Sequence, residues 1–280
     1  MKAAPEMTLV LGGGGVTGIA WQLGLLAGLA DAGIDLRARG PVLGTSAGST
    51  VGAQLTSGLS LDELYARQLD GVPYEIPKSL SGVPLAQFLL AQLRPGSVIN
   101  AARRVGRLAE KARTGSIPER RGVIAARLPN HDWPESSLGL VVTDTESGEG
   151  RIITWEDGFA LIDAVAASCA VPMVWPCVTL GDRLYMDGGI RSTLNLDLAP
   201  GSGPVVALAP MTLAFKKANA IAAQRHALGA DRPVMVITPD VATKRAQGRN
   251  PLDSSVVPAV ARAARAQAAQ EAPALAALLG

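Results

Sequence analysis

Four consecutive glycines, Gly12 to Gly15, interrupt an uncharged run that extends over residues 7–30. The run is long enough to cross a bilayer, which takes about 20 apolar residues. Glycine in a helix interior costs roughly 1 kcal/mol relative to alanine, so the glycines disfavour a membrane-spanning helix. A secretion signal is also disfavoured, because Glu6 lies in the region that should be basic and the glycines break the hydrophobic segment. We therefore expect no transmembrane segment and a soluble, cytoplasmic chain.

The glycines instead separate a strand from a helix. The letters MTLVL before them predict a short strand that ends at Leu11, and the apolar spacing from Gly18 onward predicts a helix. The pattern then repeats, with a short strand at Val42 and Leu43, a glycine-containing turn, and a helix from about Ala47. Two successive strand–turn–helix units are typical of an α/β fold whose mostly parallel sheet is flanked by helices.

The rest of the chain is consistent with the same fold class. Strands are predicted within residues 138–144, 151–155, 205–210 and 233–239, and helices within 159–170 and 213–229. Strand signals are scarce between residues 70 and 134, which predicts a helical insertion or cap. The alanine-rich tail at 254–280 predicts a C-terminal helix. At 280 residues the chain fits a single domain, 1–280, whose core we place at 7–200.

The composition excludes some classes of function. A formal net charge of +2, with 18% charged residues, argues against a dedicated nucleic-acid-binding protein. The two cysteines, Cys169 and Cys177, lie in apolar surroundings without the spacing of a metal site or a disulfide framework. We therefore expect free, buried thiols and a reducing compartment.

The second glycine turn reads GTSAG, from Gly44 to Gly48, and matches G-x-S-x-G. This motif is typical of a nucleophile elbow, in which flanking glycines allow a strained strand-to-helix turn to expose the serine, here Ser46. Ser46 would then lie at a helix N-terminus, where free N–H groups and the helix dipole favour an oxyanion. An ordinary N-capping serine is the alternative, but the strand before it and the helix after it favour the elbow.

The first glycine turn contains G-x-G-x-x-G at Gly13, Gly15 and Gly18, a spacing also found in dinucleotide-binding folds. That interpretation requires an acidic residue at the end of the next strand, but this strand leads into Gly44 and Ser46. The lysine of a phosphate-binding loop is missing as well. What remains is a turn whose backbone N–H groups lie beside Ser46, as a tetrahedral acyl intermediate requires.

A serine nucleophile also needs a base, and the chain has only two histidines, His131 and His226. His131 lies in a polar loop and His226 within a helical pattern, where an ordinary histidine is more common than a catalytic one. The carboxylate candidate is Asp187, which follows a short strand and precedes Gly188 and Gly189. These glycines let the carboxylate approach another loop closely. A Ser-Asp-His triad that uses His226 stays open, as does a surface-turn role for Asp187.

The segments LGGGGVTG, GTSAG, AASCAVPMVWPCV and MDGG, in this order, resemble motifs of the patatin-like phospholipase family. The resemblance extends over residues 11–189. It implies a three-layer α/β fold, with a mostly parallel central sheet flanked by helices. It also implies a Ser-Asp dyad without histidine, with Ser46 as the nucleophile and Asp187 as the base.

The same resemblance implies that the backbone N–H groups of Gly13, Gly14 and Gly15 form the oxyanion hole. It implies hydrolysis of fatty-acyl esters in phospholipids or neutral lipids, of phospholipase A, lysophospholipase or esterase type, without a metal or cofactor. The family commonly has a basic residue before the last glycine of the first motif, whereas this chain has Thr17. A non-catalytic lipid- or acyl-binding module is the alternative from another class.

Four basic residues recur within the helical insertion, namely Arg103, Arg104, Arg107 and Lys111. Their spacing is that of one side of a helix, with apolar residues on another side. This pattern predicts either a solvated helix face or a basic amphipathic helix that contacts anionic lipid headgroups of a membrane.

Overall fold

The computed structural model describes residues 6–37, 39–71, 80, 82–135 and 137–280. The strands are β1 (Thr8–Leu11), β2 (Val42–Thr45), β3 (Leu138–Asp144), β4 (Gly150–Ile153), β5 (Val178–Leu180), β6 (Arg183–Asp187), β7 (Val205–Leu208) and β8 (Val234–Ile237). The helices are α1 (Gly15–Asp31), α2 (Ala47–Leu55), α3 (Leu61–Leu69), α4 (Gly82–Leu93), α5 (Val98–Lys111), α6 (Ile117–Arg127), α7 (Leu161–Ser168), α8 (Ile221–Ala227), α9 (Val241–Gln247) and α10 (Val257–Leu279).

The strands of the described residues form one eight-stranded sheet of order β5-β6-β3-β2-β1-β7-β8, with β4 paired to β3. The five strands β3, β2, β1, β7 and β8 are mutually parallel. The strands β4, β5 and β6 run antiparallel to their neighbours. The expected α/β class with a mostly parallel sheet is therefore confirmed. Its central strands are buried on both faces, as parallel strands covered by helices usually are.

Alternate residues of the sheet pack into two cores, which gives three layers. On one face Leu9 and Leu11 of β1 belong to a large core shared with α1, α2, α3, α7 and α10. On the other face Val10 packs with residues from the segment that contains Leu194 and Leu196, and with α8. This alternation follows from the two-residue period of a strand.

Small residues allow α10 to lie directly on α1. A Cβ at Gly24 would be 2.3 Å from the carbonyl oxygen of Ala261, and one at Gly28 would be 2.4 Å from that of Arg265. The contact also contains a buried hydrogen bond of 3.0 Å from the indole N–H of Trp21 to Gln267. The predicted C-terminal helix is thus present, and it forms part of the main core.

The segment predicted to be helical contains α4, α5 and α6, although its residues 72–79 and 81 lie outside the described residues. Helices α4 and α5 contribute to a third small core with Met186 and Ile190, which flank the end of β6. Among the helices of the described chain, none has both the length and the apolar character needed to cross a membrane. The division into domain core and insertion stays a prediction.

The helix predicted over residues 213–229 is wrong in length. Only α8 is α-helical there, after a short 3-10 turn at Lys217–Asn219. Lys216 and Ala220 have extended backbones, and the side-chain amide of Asn219 donates to the carbonyl of Arg191. Tertiary hydrogen bonding therefore overrides the local helical pattern. Helix α1 also begins earlier than predicted, at Gly15 rather than Gly18.

Two strands share one edge of β3 and run toward each other. β2 pairs Thr45 with Val141, and β6 pairs Asp187 with the next residue, Val142. β4 pairs with residues 140–143 of β3, which overlap both the residues paired with β2 and those paired with β6. β4 must therefore occupy the opposite edge of β3 from these two strands. The C-terminal ends of β2 and β6 therefore meet at one point beside β3, and the candidate residues Ser46 and Asp187 lie at this gap.

Candidate active site

Ser46 lies where β2 ends and α2 begins, in a backbone conformation that few residues other than glycine adopt. Its φ is 54° and its ψ is −114°. Neighbouring glycines make this turn possible. A Cβ at Gly48 would be 2.0 Å from the carbonyl oxygen of Leu11, and one at Gly44 would be 2.6 Å from the carbonyl oxygen of Gly48. The two glycines of the G-x-S-x-G motif are thus required by packing around the strained serine.

The structure brings the Ser46 and Asp187 side chains together. The Ser46 hydroxyl donates a hydrogen bond of 2.7 Å to Oδ2 of Asp187, across 141 residues of sequence. Both side chains are buried, and Asp187 is only 4% exposed. Its second oxygen, Oδ1, accepts the backbone N–H of Gly189 at 2.7 Å, so both carboxylate oxygens are hydrogen-bonded.

Burial raises the pKa of Asp187 to about 6, against the opposing effects of the hydrogen bonds from Ser46 and Gly189 and of the positive charge of Arg120. A carboxylate with this pKa is largely ionised at neutral pH, yet it accepts a proton more readily than an exposed aspartate, whose pKa is about 3.9. Asp187 therefore has the protonation behaviour of a general base.

The first glycine turn lies next to Ser46, but its amides are not equivalent. The N–H of Gly13 donates to the carbonyl oxygen of Thr193 at 2.7 Å, which conflicts with the expectation that Gly13 is an oxyanion donor. The N–H groups of Gly14 and Gly15 have no acceptor within the part of the chain that the structure describes. Gly15 is also the first residue of α1, so its N–H belongs to the unsatisfied first turn of that helix.

Thr17, which replaces the usual basic residue, is buried in this turn. Its hydroxyl lies 3.3 Å from the carbonyl oxygen of Gly14, to which it donates, and its backbone N–H donates to Pro251. The motif glycine Gly18 in turn donates its N–H to Gly14. Thr17 therefore stabilises the turn and brings no charge to the site.

A small pocket opens at Ser46, between the N-termini of α1 and α2. Apolar side chains and two arginines surround it, and its lining consists of Gly15, Val16, Ile19, Ser46, Ala47, Arg120, Arg127, Cys169, Val171, Trp175 and Leu252. The backbone N–H of Ala47 has no acceptor among the described residues, like that of Gly15. Two helix N-termini thus face one pocket, which favours the binding of negative charge there.

The arginines of this pocket were not identified from the sequence. Arg120 is buried in α6, and its guanidinium lies 4.2 Å from the ring centre of Trp175 and donates to the carbonyl oxygen of Cys169 at 3.0 Å. The sequence contained one weak signal, because Arg120 shares a helix face with the buried residues Val123 and Ile124. An arginine on an apolar face is a candidate for a specific buried role.

The histidines do not join the pair. His226 is exposed on α8, and His131 contacts the carbonyl oxygen of Ala125. Within the described residues, neither histidine is hydrogen-bonded to Ser46 or Asp187. No group of three potential metal-ligating side chains was found among the described residues either.

The basic residues of α5 face in two directions. Arg104, Arg107 and Lys111 line a groove between α4 and α5, together with Arg94. Arg103 instead donates to the carbonyl oxygen of Glu146. The predicted basic face is thus split, and three of its four members share the groove.

The chain also has similarity to solved structures that are distant in sequence. VipD from Legionella pneumophila is 14% identical, with a TM-score of 0.46, and the match covers 96% of this chain and 67% of that chain. The type III effector protein ExoU is also 14% identical, with a TM-score of 0.42, and the chain spans about half of it, with coverage of 96% and 53%. No curated protein matches the sequence significantly. The sequence model of the patatin-like phospholipase family matches residues 9–200, and the chain therefore belongs to this family.

Proposed function

We propose that this protein is a serine lipid acyl hydrolase, of phospholipase A, lysophospholipase or esterase type, that cleaves fatty-acyl esters through a Ser46–Asp187 dyad. Family membership supports a hydrolase that acts on lipids. The observation that carries the finer assignment is the buried hydrogen bond of 2.7 Å from the Ser46 hydroxyl to Asp187. A nucleophile and a base within hydrogen-bond reach are the minimum that covalent acyl transfer requires.

The first half-reaction transfers the acyl group to the enzyme. Oδ2 of Asp187 accepts the proton of the Ser46 hydroxyl while its oxygen attacks the ester carbonyl. The tetrahedral intermediate collapses when Asp187 returns this proton to the leaving alcohol. In the second half-reaction Asp187 takes a proton from water, and the hydroxide so formed attacks the acyl carbonyl. Asp187 then returns the proton to the Ser46 oxygen as the fatty acid leaves, which restores the free enzyme.

Backbone amides stabilise the negative charge that develops on the carbonyl oxygen. We assign this role to the N–H groups of Gly14 and Gly15, with the N–H of Ala47 as a third donor. Gly15 and Ala47 line the pocket beside Ser46, and each begins a helix, so the helix dipoles act in the same direction as the N–H groups. The N–H of Gly13 does not take this role, because it already donates to the carbonyl oxygen of Thr193.

We also propose that the surface formed by α4 and α5 contacts anionic membranes. Among the described residues, the groove between these helices is lined by four cationic side chains and no acidic one, and exposed apolar residues of α4 lie on the same helix pair. Val83, Leu90 and Leu93 are 69%, 55% and 64% exposed. Cations next to exposed apolar side chains are typical of helices that bind at a membrane surface. The cytoplasmic location expected from the sequence stays a prediction.

A fluorophosphonate probe, which reacts with activated serine hydroxyls, tests the dyad directly. The wild-type protein should be labelled and should release fatty acid from p-nitrophenyl esters and phospholipid vesicles. Ser46→Ala should lose both the label and the release while melting at a temperature close to that of the wild type. Labelling of Ser46→Ala at the wild-type rate would overturn the assignment of the nucleophile. A wild type that binds vesicles but neither reacts nor hydrolyses would favour a non-catalytic lipid-binding module.

A further inference from the structure

The backbone of Ser46 is held on both sides by one short segment. Its N–H donates to the hydroxyl oxygen of Ser168 at 3.0 Å, and its carbonyl oxygen accepts the thiol of Cys169 at 3.1 Å. Ser168 ends α7 and Cys169 follows it directly. Two consecutive side chains therefore fix the two peptide groups on either side of the strained serine.

The hydrogen-bond directions around Ser168 follow from the chemistry of its partners. Its oxygen lies 2.6 Å from the carbonyl oxygen of Val141, which only accepts, so the Ser168 hydroxyl must donate there. The N–H of Ser46 only donates, and the hydroxyl of Ser49, at 2.7 Å, must then donate as well. Ser168 thus has one donated and two accepted bonds in a site closed to water.

The same segment also binds Asp187. The backbone N–H of Asp187 donates to the carbonyl oxygen of Ala170 at 3.0 Å. Residues 168–170 therefore contact Ser46 through two side chains and Asp187 through one carbonyl. Val141, which accepts from Ser168, is the β3 residue that faces the gap between β2 and β6. The segment fills the point at which the two strand ends meet.

Cys169 is suited to its part in this arrangement. Burial raises the pKa of its thiol, so the sulfur keeps its proton at neutral pH and can donate to the Ser46 carbonyl. The guanidinium of Arg120 donates to the carbonyl oxygen of Cys169 at 3.0 Å, which connects the segment to α6. The segment is therefore fixed from both the sheet side and the helix side.

We propose that Ser168 and Cys169 are positioning residues for acyl transfer, which hold the Ser46 backbone in its strained conformation and so keep its hydroxyl aimed at Asp187. The proposal rests on the proposed function of the Ser46–Asp187 pair. A non-glycine residue with positive φ is strained and persists only where its surroundings fix it. Loss of either side-chain bond should let the Ser46 backbone relax and misalign its hydroxyl.

The first test compares Ser168→Ala with Ser49→Ala. Both changes remove one buried hydroxyl from the same network, but only Ser168→Ala releases the N–H of Ser46. Ser168→Ala should lower kcat for a p-nitrophenyl ester by about 10²-fold with KM changed only slightly, because misalignment near 1 Å has effects of that size. Ser49→Ala should stay close to wild type at a similar melting temperature. Equal kcat for the two folded variants would overturn the role of Ser168.

A second pair keeps the proposal testable even if Ser168→Ala fails to fold. Cys169→Ala removes the side-chain donor to the Ser46 carbonyl, which also accepts the backbone N–H groups of Ser49 and Thr50 in α2, whereas Cys169→Ser retains a hydroxyl donor at the same place. Cys169→Ala should lower kcat about tenfold, and Cys169→Ser should restore most of it. If Cys169→Ala keeps the wild-type kcat, or if Cys169→Ser is no better than Cys169→Ala, Cys169 does not position Ser46.

The pH profile separates positioning from a general loss of stability. The Ser46 hydrogen bond lowers the pKa of Asp187, so its weakening in Ser168→Ala should move the acid limb of kcat/KM to higher pH. An unmoved acid limb with reduced kcat would indicate a merely structural role. The outcomes also separate the two proposals. An unlabelled, inactive wild type refutes the dyad. An active wild type whose Ser168→Ala and Ser49→Ala variants have equal kcat refutes only the positioning role of Ser168.

Discussion

The two strand–turn–helix units have the same local construction but contribute different chemistry. In the first unit β1 leads through glycines into α1, and in the second β2 leads through Ser46 into α2. Both helices begin at the same pocket. The first turn offers only backbone N–H groups, with Gly13 already bound to Thr193, whereas the second holds a side chain in a strained backbone. In the proposed mechanism, the first turn therefore stabilises the developing charge and the second supplies the nucleophile.

The largest expected effect concerns the partner of the second turn. Asp187→Asn removes the proton acceptor of Ser46 and nearly preserves its shape, so kcat should fall by roughly 10³–10⁴-fold, in the upper range for loss of a general base. Fatty-acid release from an ester substrate measures this change. Retention of wild-type kcat would show that Ser46 is activated by another group, and Asp187 would then not be the partner of the second turn.

The same variant should gain stability, and the sign follows from the pKa. Folding raises the pKa of Asp187 from its ordinary value near 3.8 to about 6, so the folded state binds this proton more tightly than the unfolded chain does. The charged carboxylate therefore lowers stability above about pH 6 and has no such effect below about pH 4. Asp187→Asn should melt higher than wild type at pH 8, on the order of 5 °C, and the difference should shrink toward pH 4. A lower melting temperature at pH 8 would contradict this.

The first turn is tested by adding a methyl group to Gly14. A Cβ there would lie 2.6 Å from Cβ of Pro210, so the backbone and its N–H must shift. Loss of an oxyanion donor lowers kcat by about 10²–10³-fold, and KM should change little because the bond strengthens in the transition state.

The matched control for this variant is Gly18→Ala. It puts a methyl group 3.3 Å from the same Cβ of Pro210 within a regular helix. It should keep most of the activity, and circular dichroism should show both variants to be folded. If Gly14→Ala is as active as Gly18→Ala, the N–H of Gly14 is not an oxyanion donor that matters, and the N–H groups of Gly15 and Ala47 become the leading ones.

The pH dependence of kcat/KM should distinguish the second turn from the first, and the expected effect is of intermediate size. Because Asp187 must be ionised to accept the serine proton, kcat/KM should fall about tenfold per pH unit below about pH 6. The first turn has no titratable group, so Gly14→Ala should lower the whole profile without moving this limb. Fatty-acid release at constant ionic strength, quantified by mass spectrometry, gives the curve. A flat wild-type profile down to pH 4 would exclude Asp187 as the base.

The smallest effect is expected at His226. It is exposed on α8 and, within the described residues, has no hydrogen bond to Ser46 or Asp187, so His226→Ala should keep kcat close to that of the wild type. A Ser-Asp-His triad would instead predict a loss of about 10³-fold or more. Parallel kinetics of His226→Ala and Asp187→Asn decide between the two arrangements.

Local sequence determined much of the fold. The glycine turns, the two-residue and helical periods, and the motif letters predicted β1, β2 and the helices that follow, because turn geometry and burial period are encoded within a few residues. The helix predicted over residues 213–229 was wrong in length because the Asn219 amide bonds to a distant carbonyl. A local pattern cannot anticipate a partner 28 residues away.

The sequence by itself determined that this chain has a serine at a strand-to-helix turn, an acidic residue before two glycines, and an α/β fold to hold them. Only the tertiary structure decided that the side chains of Ser46 and Asp187 meet, since β2 and β6 approach one edge of β3 from opposite directions. It also decided that Gly13 donates to Thr193, and that Ser168 binds the Ser46 backbone. These contacts join residues far apart in sequence, and strand order and register, which no short motif encodes, bring them within hydrogen-bond distance.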